Sequence, residues 1–147
     1  MFRGNKTVSL DSKGRISIPS HYRTRLLEAS GGTVIVAPSF RSSSLDLFPL
    51  YEWEEKVENY IDTLDSKKQI LLRRAVIGRA QECEMDGSGR ILLSQKLRDY
   101  AGLEKSAVLA GVGYKLELWN EVDWIEASLE EEGLSKEDLS LLEDVYI

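Results

Sequence analysis

One cysteine and one histidine in 147 residues leave little for metal or redox chemistry. Cys83 has no second cysteine for an internal disulfide and no neighbour with which to share a zinc ion. His21 follows Pro19-Ser20, where a surface position at a helix start is expected rather than a general base. No apolar run approaches the roughly 20 residues that a membrane-spanning helix needs. The opening Met-Phe-Arg-Gly-Asn-Lys lacks the apolar core of a signal peptide and passes straight into a strand pattern, so a cytoplasmic location without a membrane partner is expected. Gly87-Ser-Gly89 and Gly111-Val-Gly113 are too short for a phosphate loop and lack its Lys-Ser/Thr ending. Carboxylates are plentiful, yet no pair is marked out by spacing or apolar setting. These gaps leave no catalytic residue, metal site or cofactor to name, and an enzyme is not expected.

Positive charge is outnumbered, 19 Lys and Arg against 25 Asp and Glu, and unevenly spread. The net charge is −6. From Glu117 onward eleven acids face one base, Lys136, whereas residues 1–25 hold Arg3, Lys6, Lys13, Arg15, Arg23 and Arg25 against Asp11 alone. A basic front and an acidic tail follow, and the distribution bears on nucleic-acid binding more than the sum does.

The strongest pattern is a duplication. Val8-Ser-Leu-Asp-Ser-Lys-Gly-Arg-Ile-Ser-Ile-Pro-Ser-His-Tyr-Arg23 aligns without gaps on Cys83-Glu-Met-Asp-Gly-Ser-Gly-Arg-Ile-Leu-Leu-Ser-Gln-Lys-Leu-Arg98, and Leu45–Trp53 aligns on Leu116–Trp124 in the same order. Val8, Leu10, Ile16 and Ile18 alternate with polar residues around Asp11-Ser-Lys-Gly-Arg15, as in a half-buried hairpin. Asp11 and Asp86 accept hydrogen bonds from turn amides, while Gly14 and Gly89 tolerate the positive φ of a tight reversal. Ser20 is expected to cap a short helix through Leu26-Leu27, and strands are expected at Thr33–Val36 and Leu45–Phe48. Copy two repeats the order, with strands at Glu82–Met85 and Ile91–Leu93, a helix capped by Ser94, and strands at Ala107–Ala110 and Lys115–Trp119. Between the copies Leu50, Trp53, Val57, Tyr60, Ile61 and Leu64 form one helical face. Ser66-Lys-Lys-Gln69 has capping-box form ahead of a second helix that Gly78 can end. The expected organisation is α+β: a first hairpin unit over 5–52, a helical connection over 53–79, a second unit over 80–123 and an acidic helical tail over 124–147.

Met-Phe-Arg-Gly, Asp11-Ser-Lys-Gly-Arg-Ile-Ser-Ile-Pro19, Glu82-Cys-Glu-Met-Asp-Gly-Ser-Gly-Arg-Ile91, Leu47–Trp53 and Lys115–Trp119 together resemble the MraZ proteins of bacteria over roughly residues 1–125. MraZ proteins fall within the wider AbrB-like group (the SpoVT-AbrB domain). The resemblance therefore implies two AbrB-like hairpin units joined as an intramolecular swapped-hairpin β-barrel, each unit followed by helices. It also implies a transcription regulator, acting as a repressor on the division and cell-wall gene cluster including its own promoter. The implied partners are double-stranded DNA with short direct repeats and further copies of the chain in an octameric ring, with the protein nucleoid-associated.

Resemblance and chemistry point to Lys13 and Arg15 for DNA contact, with Arg3 and Lys6 adding backbone contacts and Arg90 a further candidate. Arg suits a bidentate contact to guanine. A structural ion pair with Asp11 or Asp86 is the competing role for each turn arginine. Copy two has Gly87-Ser88 where copy one has Ser12-Lys13, and its bases between residues 82 and 98 are matched by acids. The expectation is a division of work, with copy one reading DNA. The other class of function held open is an antitoxin-like protein-interaction module whose acidic tail binds a partner.

Overall fold

The computed structural model describes residues 1–129 and 135–146. Residues 130–134 and 147 of the expected acidic tail lie outside the described residues. In chain order the elements are β1 (Asn5–Ser9), β2 (Arg15–Ser17), α1 (Ser20–Ser30), β3 (Thr33–Pro38), β4 (Leu45–Pro49), α2 (Leu50–Trp53), α3 (Asn59–Asp62), α4 (Ser66–Ala75), β5 (Gln81–Glu84), β6 (Arg90–Leu92), α5 (Gln95–Ala101), β7 (Ser106–Gly111), β8 (Leu116–Trp119), α6 (Glu121–Leu129) and α7 (Lys136–Tyr146). A π-helical stretch, Glu54–Glu58, joins α2 to α3. The chain is mixed α+β with antiparallel sheets. Among the described residues no helix is long and apolar enough to cross a membrane.

The two copies exchange strands. β1 pairs with β7 of the other copy, from Asn5↔Ala110 to Ser9↔Ser106. The equivalent strand β5 pairs with β3, from Thr33↔Glu84 to Val36↔Gln81. β4 and β8, which are equivalent, pair with each other about Asp46↔Glu117. The result is one six-stranded sheet in the order β1-β7-β8-β4-β3-β5. β2 and β6, also equivalent, form a separate two-stranded ribbon centred on Ile16↔Ile91. A pseudo-two-fold axis therefore runs through Ile16/Ile91 and Asp46/Glu117. The expected hairpin is corrected here: apart from a bridge at Leu10↔Ile16, the strands flanking the first turn take their partners from the other copy. The sheet ends at β1 and β5, which are not paired with each other, so its hydrogen bonding does not describe a closed barrel.

The core follows the alternation. Val8, Leu10, Ile16, Ile18, Val34, Val36, Leu45 and Leu47 meet Ile91, Leu93, Leu109, Leu116 and Leu118 in one buried cluster drawn from both copies. The opposite face is covered twice in the same manner. Ile35, Ala37 and Phe48 pack under Trp53 and the helical connection, and the Phe48 and Trp53 rings meet edge-on at 5.1 Å. Trp119 and Trp124, their counterparts in copy two, meet edge-on at 6.1 Å. These aromatic residues serve packing.

Three helix boundaries differ from expectation. Pro19, not Ser20, occupies the N-cap of α1 and makes no side-chain cap bond. It takes the position that Ser94 holds in copy two, where the serine does accept from Leu97 N. Asp65 rather than Ser66 caps α4, accepting from Lys68 N, while Gln69 Nε2 donates to the Leu64 carbonyl instead of closing a capping box. α4 ends at Ala75, before Gly78, which lies in the short 3-10 helix Ile77–Arg79.

Ile16 and Ile91 are fully buried partners at the axis. Ile91→Ala is expected to lower the unfolding free energy by about 2–5 kcal/mol, the usual cost of emptying a packed aliphatic site. Urea denaturation followed by circular dichroism measures it.

Candidate nucleic-acid interface

The ribbon presents two unlike faces. Ile16 and Ile91 point into the core, while Arg15 and Ser17 of β2 and Arg90 and Leu92 of β6 share the outer face. The register sets Arg15 opposite Leu92 and Arg90 opposite Ser17. Arg15 and Arg90 are therefore diagonal neighbours, with Cα atoms about 7–8 Å apart. The sequence treated the two turns as separate sites; the fold brings their arginines onto one surface.

Each arginine is held by its own turn. Asp11 Oδ1 accepts from the backbone N–H of Lys13 at 3.0 Å and of Arg15 at 2.9 Å, and Oδ2 accepts from Arg15 Nε at 2.6 Å. Asp86 does the same with Ser88 N, Arg90 N and Arg90 Nε at 2.9, 2.9 and 3.0 Å. The structural ion pair and a recognition role are thus compatible, because the pair uses Nε and leaves the two terminal nitrogens of each guanidinium for another acceptor. About a third of each arginine side chain is exposed. The backbone N–H bonds, above all that of Arg15, outweigh desolvation and hold the Asp11 carboxyl down at about 2, from an ordinary 3.8. Asp86 is lowered for the same reason, the Arg90 backbone N–H first.

The turns are locked by the opposite copy. Gly14 has φ of 87° and Gly89 of 76°. A Cβ at Gly14 would run into the Arg98 guanidinium, and one at Gly89 into that of Arg23. The Leu93 N–H donates to the Gly14 carbonyl at 3.0 Å and the Ile18 N–H to that of Gly89 at 2.8 Å. Arg98 Nε also donates to the Leu93 carbonyl at 3.2 Å, whereas Arg23 Nε is buried and finds no hydrogen-bond partner among the described residues. Arg23 and Arg98 were not singled out from the sequence for this place, although both close the aligned segment identically.

Of the other candidates, Lys13 lies beside the ribbon, whereas Arg3 and Lys6 do not. Lys13 is exposed at the tip of the first turn, beside Arg15. Arg3 lies at the far end of β1 from that turn, where its carbonyl and that of Gly4 are each 2.7 Å from Tyr22 Oη. Lys6 is exposed one residue into β1, opposite Leu109, roughly 15 Å along the strand from the turn. Neither joins the ribbon cluster. His21 is exposed at the start of α1. The Cys83 thiol is buried and donates towards the Leu92 carbonyl at 3.6 Å, and burial first, then Glu84 and Glu82, pushes it up to about 11. Among the described residues no group of three or more His, Cys, Asp or Glu is placed to hold a metal ion.

Because folding depresses the Asp11 carboxyl, its contribution to stability is complete above about pH 4 and disappears as pH falls through about 2. Carbon-13 NMR should place its midpoint near 2. Asp11→Asn should lower the melting temperature at neutral pH, with the deficit shrinking below about pH 4.

Comparison with known proteins follows the same residues. A family profile described as "MraZ protein, putative antitoxin-like" matches residues 1–74 and 76–144. A transcriptional regulator MraZ of Thioalkalivibrio sulfidiphilus is 42% identical over 151 residues, covering 100% of both chains. One of Haemophilus influenzae is 47% identical over 126 residues, covering 84% of this chain and 83% of its own. One of Escherichia coli is 41% identical over 145 residues, with 95% of each chain covered. With its whole length matched in this way, the chain belongs to the MraZ family.

Proposed function

We propose that this chain is a DNA-binding transcription regulator that lays the β2–β6 ribbon into the major groove. The observation that carries this reading is the juxtaposition of Arg15 and Arg90 on the ribbon's outer face, each with Nε tied to an aspartate. A major groove about 12 Å wide admits a two-stranded ribbon, and an arginine fork matches guanine O6 and N7. The names of the relatives support regulation of transcription. Lys13 and the Arg15 fork are the primary contacts, and Arg90 is a second. Arg3 and Lys6 can meet only more distant phosphates, because β1 carries them away from the turn.

The finer reading is a repressor of the division and cell-wall gene cluster, its own promoter included, working as a nucleoid-associated ring of eight copies on short direct repeats. The exchange of strands between the copies supports describing the two units as swapped hairpins. A single short ribbon offers few contacts, and a ring that repeats it gains affinity through effective concentration when the DNA repeats match its spacing.

Gel shifts with the DNA upstream of the chain's own gene test this. The wild-type oligomer should bind at low salt and weaken steeply as salt rises. Arg15→Ala should reduce binding at least about fivefold, since each good bidentate base contact contributes about 1–3 kcal/mol. Arg90→Ala should cost less if copy one does most of the reading, and cutting the DNA to one repeat should cost more than either. The second reading, an antitoxin-like module that binds a protein, draws on the family description. It gains if the purified oligomer ignores this DNA at low salt.

A further inference from the structure

The ribbon's two-fold symmetry raises a question of direction. Asp11/Asp86, Gly14/Gly89, Arg15/Arg90 and Ile16/Ile91 are the same residues at equivalent places, so those pairs present an identical surface when the ribbon is turned end for end. Besides the turn tips, where Ser12-Lys13 stands against Gly87-Ser88, the symmetry is broken among the paired residues of the ribbon's outer face at Ser17 and Leu92. Arg90 has a serine across the ribbon from it, whereas Arg15 has a leucine.

Leu92 is 53% exposed, while its chain neighbours Ile91 and Leu93 are buried almost completely. Its backbone is fixed: the carbonyl accepts from Gln81 Nε2 at 3.1 Å, and the Cys83 thiol also points to it. A strand position held so firmly puts a branched apolar side chain beside the Arg15 guanidinium, on the face proposed to enter the groove. Directly opposed residues on a ribbon have Cβ atoms about 4.5–5.5 Å apart, which is between one and two base-pair steps of about 3.4 Å. Among the groups on the major-groove edges, the one that an apolar side chain matches is the 5-methyl of thymine.

We propose that Leu92 is a specificity-determining residue that packs on a thymine methyl next to the guanine taken by Arg15, and so gives the pseudo-symmetric ribbon a reading direction. This rests on the DNA-binding reading above. Ser17, its counterpart, supplies a hydroxyl beside Arg90 instead, so reversing the ribbon on the same sequence would set serine against the methyl and leucine against a polar edge.

Deoxyuridine tests the proposal, because it pairs as thymine does and lacks only the methyl. Fluorescence anisotropy would compare the DNA upstream of the chain's own gene with the same DNA carrying deoxyuridine at every thymine. The wild-type oligomer should bind the deoxyuridine form at least about fourfold more weakly, the loss expected for one buried methyl. Leu92→Ala should bind both forms with similar affinity, and Leu92→Met, which keeps an apolar reach, should retain the discrimination. Equal wild-type affinity for the two DNAs overturns the proposal and leaves DNA binding standing. Persistent discrimination by Leu92→Ala overturns it as well, since the methyl is then sensed elsewhere. A changed oligomer size for Leu92→Ala on gel filtration assigns the side chain to packing between copies and also overturns it. Failure of the wild type to bind either DNA removes the DNA-binding reading itself.

Discussion

The β2–β6 ribbon is three residues long on each strand, and the placing of its outer arginines depends on its being held by the rest of the molecule. Two isolated three-residue strands do not persist in water. Here the hold comes from beneath and from both ends. Ile16 and Ile91 anchor the inner face in the shared core. At one end Leu93 bonds to Gly14 and Arg98 crosses the first turn; at the other Ile18 bonds to Gly89 and Arg23 crosses the second. Each copy thereby supplies the brace for the other copy's turn, so neither outer arginine has a fixed position until both copies have folded. The strand exchange in the six-stranded sheet has the same consequence, because β1 and β5 find their partners across the repeat.

Much of this was legible in the sequence, and the parts that were not share a cause. The duplication, the strand order, the turn glycines and the capping role of Ser94 could be read because each depends on a few neighbouring residues. Which strand pairs with which could not. Val8 and Leu10 alternate in the same way whether β1 pairs with β2 or with β7, since a period of two records burial and not the partner. Two cap positions moved by one residue for local reasons: Pro19 displaced Ser20 from the cap of α1, and Asp65 outcompeted Ser66 at α4. The bracing places of Arg23 and Arg98 were not legible, because their targets, Gly89 and Gly14, lie in the opposite copy. Arg3 and Lys6 seemed close to the first turn because sequence distance says nothing of strand length in space.

The acidic total of the chain and a groove-binding ribbon are reconcilable through position. The counted acids concentrate after Glu117, whereas the ribbon and its braces carry Lys13, Arg15, Arg23, Arg90 and Arg98 against Asp11 and Asp86. Phosphate attraction is screened over about 10 Å at moderate salt, so under the proposed function a local excess of cations, rather than the chain's total, governs contact. The neutral charge count of the second copy, taken alone, suggested that it would meet phosphate poorly. The fold changes the relevant count, because the two copies show one common face.

Under the proposed DNA-binding function, the aspartate–arginine pairs bear on affinity more than on stability. Both pairs are open to solvent over about a third of their side chains, and ion pairs so screened contribute little to folding. What they change is the freedom of the guanidinium. A free arginine loses several rotatable bonds when it meets a base, and that entropy is taken from the binding energy. With Nε already bonded to a carboxylate that is itself fixed by two backbone N–H groups, the fork of Arg15 and of Arg90 starts in nearly one orientation. The nearby negative charge weakens attraction to phosphate but leaves the directional match to a guanine edge intact. A turn built this way loses general affinity and gains discrimination. That exchange is favourable when affinity comes from several copies acting together and each copy must still reject the wrong base.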